Sequence, residues 1–244
     1  MSWFLKFVTS SVGRKFVTGL TGLFLVSFLI VHLTGNFSLF RADNGEAFNV
    51  YSHFMGHNPL IRVMEIGLVL GFGIHIFTAI YLQLENKKSR PIGYDKVDAS
   101  ANSSLFSRTM FLSGSVILFF LMVHLTNFFV PHRVTGKDVV DGTAVVNATK
   151  LDGSALLASD GQPIKDMYIS VATAFKNPIY VAIYLLGLIL LAFHLNHGFQ
   201  SAFQTFGLNN KKYFPLIRFI GLILSIALPA GFASMPIYFY FILG

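Results

Sequence analysis

Four histidines lie inside runs that are otherwise apolar: His32 in FLIVHLTGNF, His75 in GFGIHIFTAI, His124 in FFLMVHLTNF and His194 in LLGLILLAFHLNHGF. An imidazole in hydrocarbon is costly unless its nitrogens are satisfied, so each of these residues is either a partner in an interhelical hydrogen bond or a ligand. With four of them, the choice turns on their depths in the runs that carry them.

Those runs are membrane spans by composition. Of 244 residues, 54% are hydrophobic and 12% are charged, which sets the chain apart from ordinary soluble domains. The absence of cysteine excludes disulfides, thiolate metal sites, cysteine-held iron–sulfur clusters and haem attached through C-x-x-C-H. The net charge of +7 is spread in short basic clusters beside apolar runs, a pattern that fits membrane topology and not nucleic-acid binding.

The chain reads as one all-α integral-membrane domain, residues 1–244, with five spans at about 14–39, 59–84, 109–130, 178–203 and 216–243. Before them, MSWFLKFVTSSVG suits a short amphipathic segment on the membrane surface, and no A-x-A-like site marks the first span for cleavage. Asn58-Pro59 starts the second span, where Gly67, Gly71 and His75 share a face that admits a close neighbour or a flat ligand. Residues 131–177 form a polar outer loop, with turn signals at Asp141-Gly142, Asp152-Gly153 and Asp160-Gly161 and a β-branched run between them that predicts a small hairpin. Pro229 and Pro236 are expected to kink the fifth span. No internal repeat stands out.

Of the 18 Lys and Arg residues, 11 fall in the N-terminal segment and the loops after spans two and four, which puts the N-terminus in the cytoplasm. His32 and His124 then lie about six residues from the outer ends of their spans, roughly 9 Å in, while His75 and His194 lie about nine residues, roughly 13 Å, from the inner ends. Sorting into two depths predicts two bis-imidazole sites stacked in a bundle of the first four spans, and haem b is the large apolar ligand that fits. Zinc would want three or four ligands at one depth. His197, three residues after His194, is a second choice of ligand that spacing alone leaves open, and His53, His57 and His132 fall in or beside loops.

On these residues the chain resembles the membrane-anchor cytochrome b subunit of succinate:quinone oxidoreductases, in the five-helix, two-haem type shared with quinol:fumarate reductases. The likeness covers nearly the whole chain and rests on GLTGLFLVSFLIVHL, IHIFTAIYL, LMVHLTNFF and HLNHG, with HGFQSAFQTFGLNNKKY and the long third loop resembling the version in Bacteroidetes-like bacteria. It implies that His32 and His124 hold an outer haem and that His75 and His194 hold an inner one. The H-x-x-x-G pattern of helix four, matched by His194 and Gly198, favours His194 over His197.

The resemblance further implies a bacterial cytoplasmic-membrane subunit that anchors a flavoprotein and an iron–sulfur subunit on the cytoplasmic face and passes electrons between them and menaquinone or another quinone. With neither a dinucleotide fingerprint nor cysteines, the chain cannot oxidise succinate by itself. Some relatives use an intramembrane carboxylate for the quinone's proton, a role open here to Glu65, which could instead pair with Arg62. Arg14, Lys15 and Arg108 sit at cytoplasmic helix ends, placed for haem propionates, a docked partner or lipid phosphate. Two other readings stay open: a haem b subunit of another quinone-linked dehydrogenase, and a transporter in which the histidines relay protons without haem.

Overall fold

The computed structural model describes residues 2–89, 104–137 and 144–243, and these are 78% helical with no strand. After the short helix α1 (Trp3–Thr9) come α2 (Ser11–Asn36), α3 (Glu46–His57), α4 (Pro59–Lys88), α5 (Leu105–Arg108), α6 (Met110–His124), α7 (Met167–Phe175), α8 (Pro178–Thr205) and α9 (Phe214–Phe241). A 3₁₀ turn at Phe37–Phe40 extends α2, and two π turns, Leu125–Phe129 and Pro131–Thr135, extend α6.

Five stretches are long and apolar enough to cross a membrane: Ser11–Phe40, Pro59–Lys88, Met110–Thr135, Pro178–Thr205 and Phe214–Phe241. They match the five expected spans, most of them running a few residues longer. Their large apolar side chains face outward, with Phe77 69% and Ile226 60% exposed, which is how a chain looks when lipid supplies the missing neighbours. The fourth stretch is the most enclosed, a third of its apolar window being buried against 11% in each of the first three.

Asn-Pro begins both α4 and α8. Asn58 Oδ1 accepts from Leu60 N at 2.9 Å, Asn177 Oδ1 accepts from Ile179 N at 2.9 Å, and proline occupies the first helical position, where no N–H is needed. Helix α9 continues through Pro229 and Pro236, each of which leaves a carbonyl one turn back without its intrahelical donor.

The described residues divide into two compact units, within Met1–Leu29, Glu65–Gly114 and Leu190–Leu228 and within Ile30–Met64, Ser115–Ile189 and Pro229–Gly244. In the first, Gly19 lets α2 approach α8 until its Cα hydrogen faces Ala202, and Gly71 of α4 packs under the Phe24 ring. The face around Gly67 is open. At the end of this unit Arg14 pairs with Glu85 at 3.2 Å and stacks on Tyr81, 3.9 Å from the ring centre.

In the second unit the polar loop is more ordered than expected. The run expected to form a hairpin lies partly outside the described residues; within them there are isolated antiparallel bridges, Lys137 with Ala144, Asn147 with Lys165, Thr149 with Ala155 and Leu157 with Pro163. Ala148 N donates to Ile164 O, Leu156 N to Ala148 O and Ile164 N to Leu156 O, a closed ring of three segments around those three buried side chains. The Asp152-Gly153 and Asp160-Gly161 turns join them, with both glycines at positive φ and both aspartates accepting from the backbone two residues on. The Asp141-Gly142 turn lies outside the described residues. Helix α7, absent from the sequence expectation, follows directly, capped by Asp166 Oδ1 accepting from Ile169 N.

Contrary to expectation, the chain also contains an internal repeat. LTGLFLVSFLIVHLTGNF at 20–37 and LSGSVILFFLMVHLTNFF at 112–129 share nine residues over 18 positions, His32 matching His124. Each is followed by a short helix, α3 or α7, then by Asn-Pro, then by a span whose histidine comes 16 residues after the proline: His75 after Pro59 and His194 after Pro178. The intervening loops differ so much in length that the duplication is hidden in the linear chain.

Candidate metal centres

Each unit holds one histidine pair made of equivalent positions in the repeat. In the first, His75 of α4 and His194 of α8 bring their ring centroids to 6.3 Å with planes at 69°. His75 Nδ1 lies 3.1 Å from the Thr18 carbonyl oxygen and 3.2 Å from Thr21 Oγ1 of α2. A carbonyl can only accept, so Nδ1 carries the proton and Nε2 keeps a lone pair. His194 Nδ1 lies 3.5 Å from Ser113 Oγ of α6. A methyl added at Gly22 would meet His75 Cε1 at 3.2 Å, and one at Gly114 would meet His194 Cε1 at 3.4 Å, so both rings rest against bare backbone.

In the second unit, His32 of α2 and His124 at the end of α6 bring their centroids to 5.9 Å with planes at 80°. The Tyr184 hydroxyl of α8 is 3.4 Å from His124 Nδ1. Asn36 donates to the His32 carbonyl at 2.9 Å and passes 3.4 Å from its Nδ1. Phe232 flanks the His32 ring, and Phe120 and Phe128 flank that of His124. The π turn after His124 carries Asn127, only 6% exposed, whose Nδ2 lies near the Tyr184 hydroxyl without hydrogen-bonding to it or to any other described group. A buried amide donor without an acceptor costs about 1–3 kcal/mol, so the position is one where a ligand oxygen fits.

The ring centroids, 5.9 Å apart in one pair and 6.3 Å in the other, are close enough for both imidazoles of a pair to reach one metal ion, metal–nitrogen bonds being about 2.1 Å. Among the described residues no group of three or more His, Cys, Asp or Glu is placed to hold a metal ion, so the donor set at each centre is two imidazoles, flanked in the second pair by Phe120, Phe128 and Phe232. That set fits a metal whose remaining ligands come with it, as the four nitrogens of a porphyrin do.

No protein family, no curated protein and no solved structure matches the chain.

The other candidates fall as follows. His197, half-buried on α8, has no ring contact with His75, whereas His194 does. Glu65 is half-buried on α4, ten residues before His75. Arg14 is committed to Glu85 and Tyr81, while Lys15 and Arg108 are exposed. His53 and His57 of α3 stack at 4.0 Å, with His57 Nδ1 donating to the His53 carbonyl at 2.8 Å. His132 Nε2 is bonded to Ser170 Oγ of α7 at 3.0 Å. The residues that the sequence reading passed over are Thr18, Thr21, Ser113, Tyr184 and Asn127, which touch or adjoin the paired histidines. Only the repeat of Leu-(Thr/Ser)-Gly ten residues before a histidine could have signalled two of them.

Proposed function

We propose that the chain is the di-haem cytochrome b membrane anchor of a succinate:quinone oxidoreductase, working as a succinate:menaquinone reductase or a quinol:fumarate reductase. The observation that carries this reading is the pair of bis-histidine centres, one in each unit, each spanning the distance that one metal ion bridges. The likeness of the histidine-bearing segments to that family supplies the partners: a flavoprotein and an iron–sulfur subunit on the cytoplasmic face of a bacterial inner membrane. The basic loops after spans two and four support that orientation.

His32 with His124 and His75 with His194 would each hold one haem b, which would supply one-electron transfer. The rest is the work of this chain's own side chains. The Thr18 carbonyl fixes the His75 tautomer so that Nε2 is the free nitrogen. Phe120, Phe128 and Phe232 exclude water beside the second pair. Asn127 Nδ2 is a donor for a ligand oxygen there. Glu65 is the intramembrane carboxylate assigned to the quinone's proton.

The test is a reduced-minus-oxidised spectrum and a pyridine haemochrome assay on the chain purified with its copurifying partners. Two haems b per chain, together with succinate-driven reduction of the spectrum, are expected. A folded, colourless preparation rejects this reading in favour of a histidine-relay transporter, and two haems without any response to succinate point to another dehydrogenase.

A further inference from the structure

We infer that the Leu-Thr-Gly triplet of α2 (Leu20 to Gly22) and the Leu-Ser-Gly triplet of α6 (Leu112 to Gly114) are one positioning device used twice, holding the rings of His75 and His194 with Nδ1 protonated and Nε2 presented to a metal. The inference rests on the two-haem reading and deepens it.

The triplets occupy the same place in the repeat, ten residues before His32 and His124, yet neither serves the histidine of its own helix. Each turns to the next span in the chain. Thr21 Oγ1 stands 3.2 Å from His75 Nδ1, and Ser113 Oγ stands 3.5 Å from His194 Nδ1. Both hydroxyl protons are already committed within their own helices, Thr21 Oγ1 donating to the Val17 carbonyl at 2.8 Å and Ser113 Oγ donating to the Met110 carbonyl at 3.0 Å. Toward the imidazoles these oxygens therefore offer lone pairs. A hydroxyl that can only accept selects the tautomer with its proton on Nδ1, and Nε2 is then the bare nitrogen at each ring.

The glycine completes the device. With no Cβ at Gly22 or Gly114, each ring edge settles against the helix backbone beside the hydroxyl, and a methyl there would stand 3.2 Å or 3.4 Å from Cε1. The two copies differ in one respect. His75 also has the Thr18 carbonyl at 3.1 Å, whereas Ser113 Oγ is the single hydrogen-bond partner of His194 Nδ1 among the described residues.

An acceptor on Nδ1–H makes Nε2 more basic and favours the higher oxidation state of a bound metal. Removing it raises the potential, a tenfold change in the one-electron equilibrium being worth about 59 mV. The test uses the complex as isolated with its partners, comparing wild type with Ser113→Ala, Thr21→Val and Thr21→Ser, with haem counted per chain and both midpoint potentials titrated spectroscopically. His75→Ala identifies which component belongs to this centre.

That component is expected to move upward in Ser113→Ala, to move upward by less in Thr21→Val because the Thr18 carbonyl remains, and to stay at its native value in Thr21→Ser, while the other component does not move. Two haems with unmoved potentials in Ser113→Ala and Thr21→Val overturn the inference and leave the two-haem reading intact. If Thr21→Val loses the haem, retention at native potential in Thr21→Ser supports the inference, and equal loss in Thr21→Ser overturns it. A wild-type chain without haem fails the reading itself, a result separable from all of these.

Discussion

His32 and His124 stand 92 positions apart in the chain, hold the same place in its internal repeat, and bring their ring centroids to 5.9 Å. His75 and His194 repeat the relationship at 6.3 Å. Each centre is thus a meeting of two copies of one sequence motif, which explains why its donors are alike and why they come in pairs.

Asn49, 1% exposed on α3, ties that helix to the start of α7: its Nδ2 donates to Asp166 Oδ1 at 3.0 Å, and its Oδ1 accepts from Met167 N and Tyr168 N at 2.9 Å each. Asn49→Ala leaves two backbone donors without their acceptor and is expected to cost about 2–4 kcal/mol. Detergent-unfolding midpoints and protease cleavage within 144–176 measure this. An unchanged midpoint with an uncut loop would show that the clamp carries no stability.

Arg14 is engaged by Glu85 and Tyr81. With the two side chains 20% and 39% exposed, solvent screens much of the pair, and Arg14→Gln is expected to cost about 1 kcal/mol or less with the haem count unchanged. Loss of haem in a stably folded Arg14→Gln chain would place Arg14 in the ligand-binding set.

The stacked His53 and His57 lie outside the spans, on α3. Burial first, and then the neighbouring His57, holds His53 below its ordinary value of 6.5, with Asp160 opposing. A base whose folded pKa is depressed binds fewer protons folded than unfolded, so its penalty is absent above the unfolded value of 6.5 and grows as pH falls below it. Protection of α3 amides against exchange, taken relative to the intrinsic exchange rate at each pH, is therefore expected to fall between pH 7.5 and 5.5, about the range over which an unperturbed histidine titrates, and to do so less in His57→Gln. Identical pH profiles in the two proteins would remove the coupling.

The five spans were legible because length and hydropathy alone define them, and Asn58-Pro59 marked a helix start that capping chemistry explains. The pairing of histidines was legible as depth, since rise per residue converts position into height along a span. Helix α7 was not, because nine residues inside a polar loop carry too few turns for a periodic signal, although Asp166 is a proper cap. Nor was the Arg14 to Glu85 pair, whose partners are 71 positions apart and meet only when α2 and α4 pack. The three-segment ring of 147–165 was missed because its register is set by hydrogen bonds among Ala148, Leu156 and Ile164 rather than by alternation along a strand.

The most direct measurement is the haem count per chain in single and double His→Ala substitutions of the four paired residues, with His197→Ala as control. His32→Ala, His124→Ala and their double are each expected to leave one haem, the same holds for His75 and His194, and a double taken across the pairs, His32→Ala with His75→Ala, leaves none while His197→Ala keeps two. Two haems surviving in His194→Ala, or a His32→Ala/His124→Ala chain that loses both, would contradict the assignment of one haem to each pair.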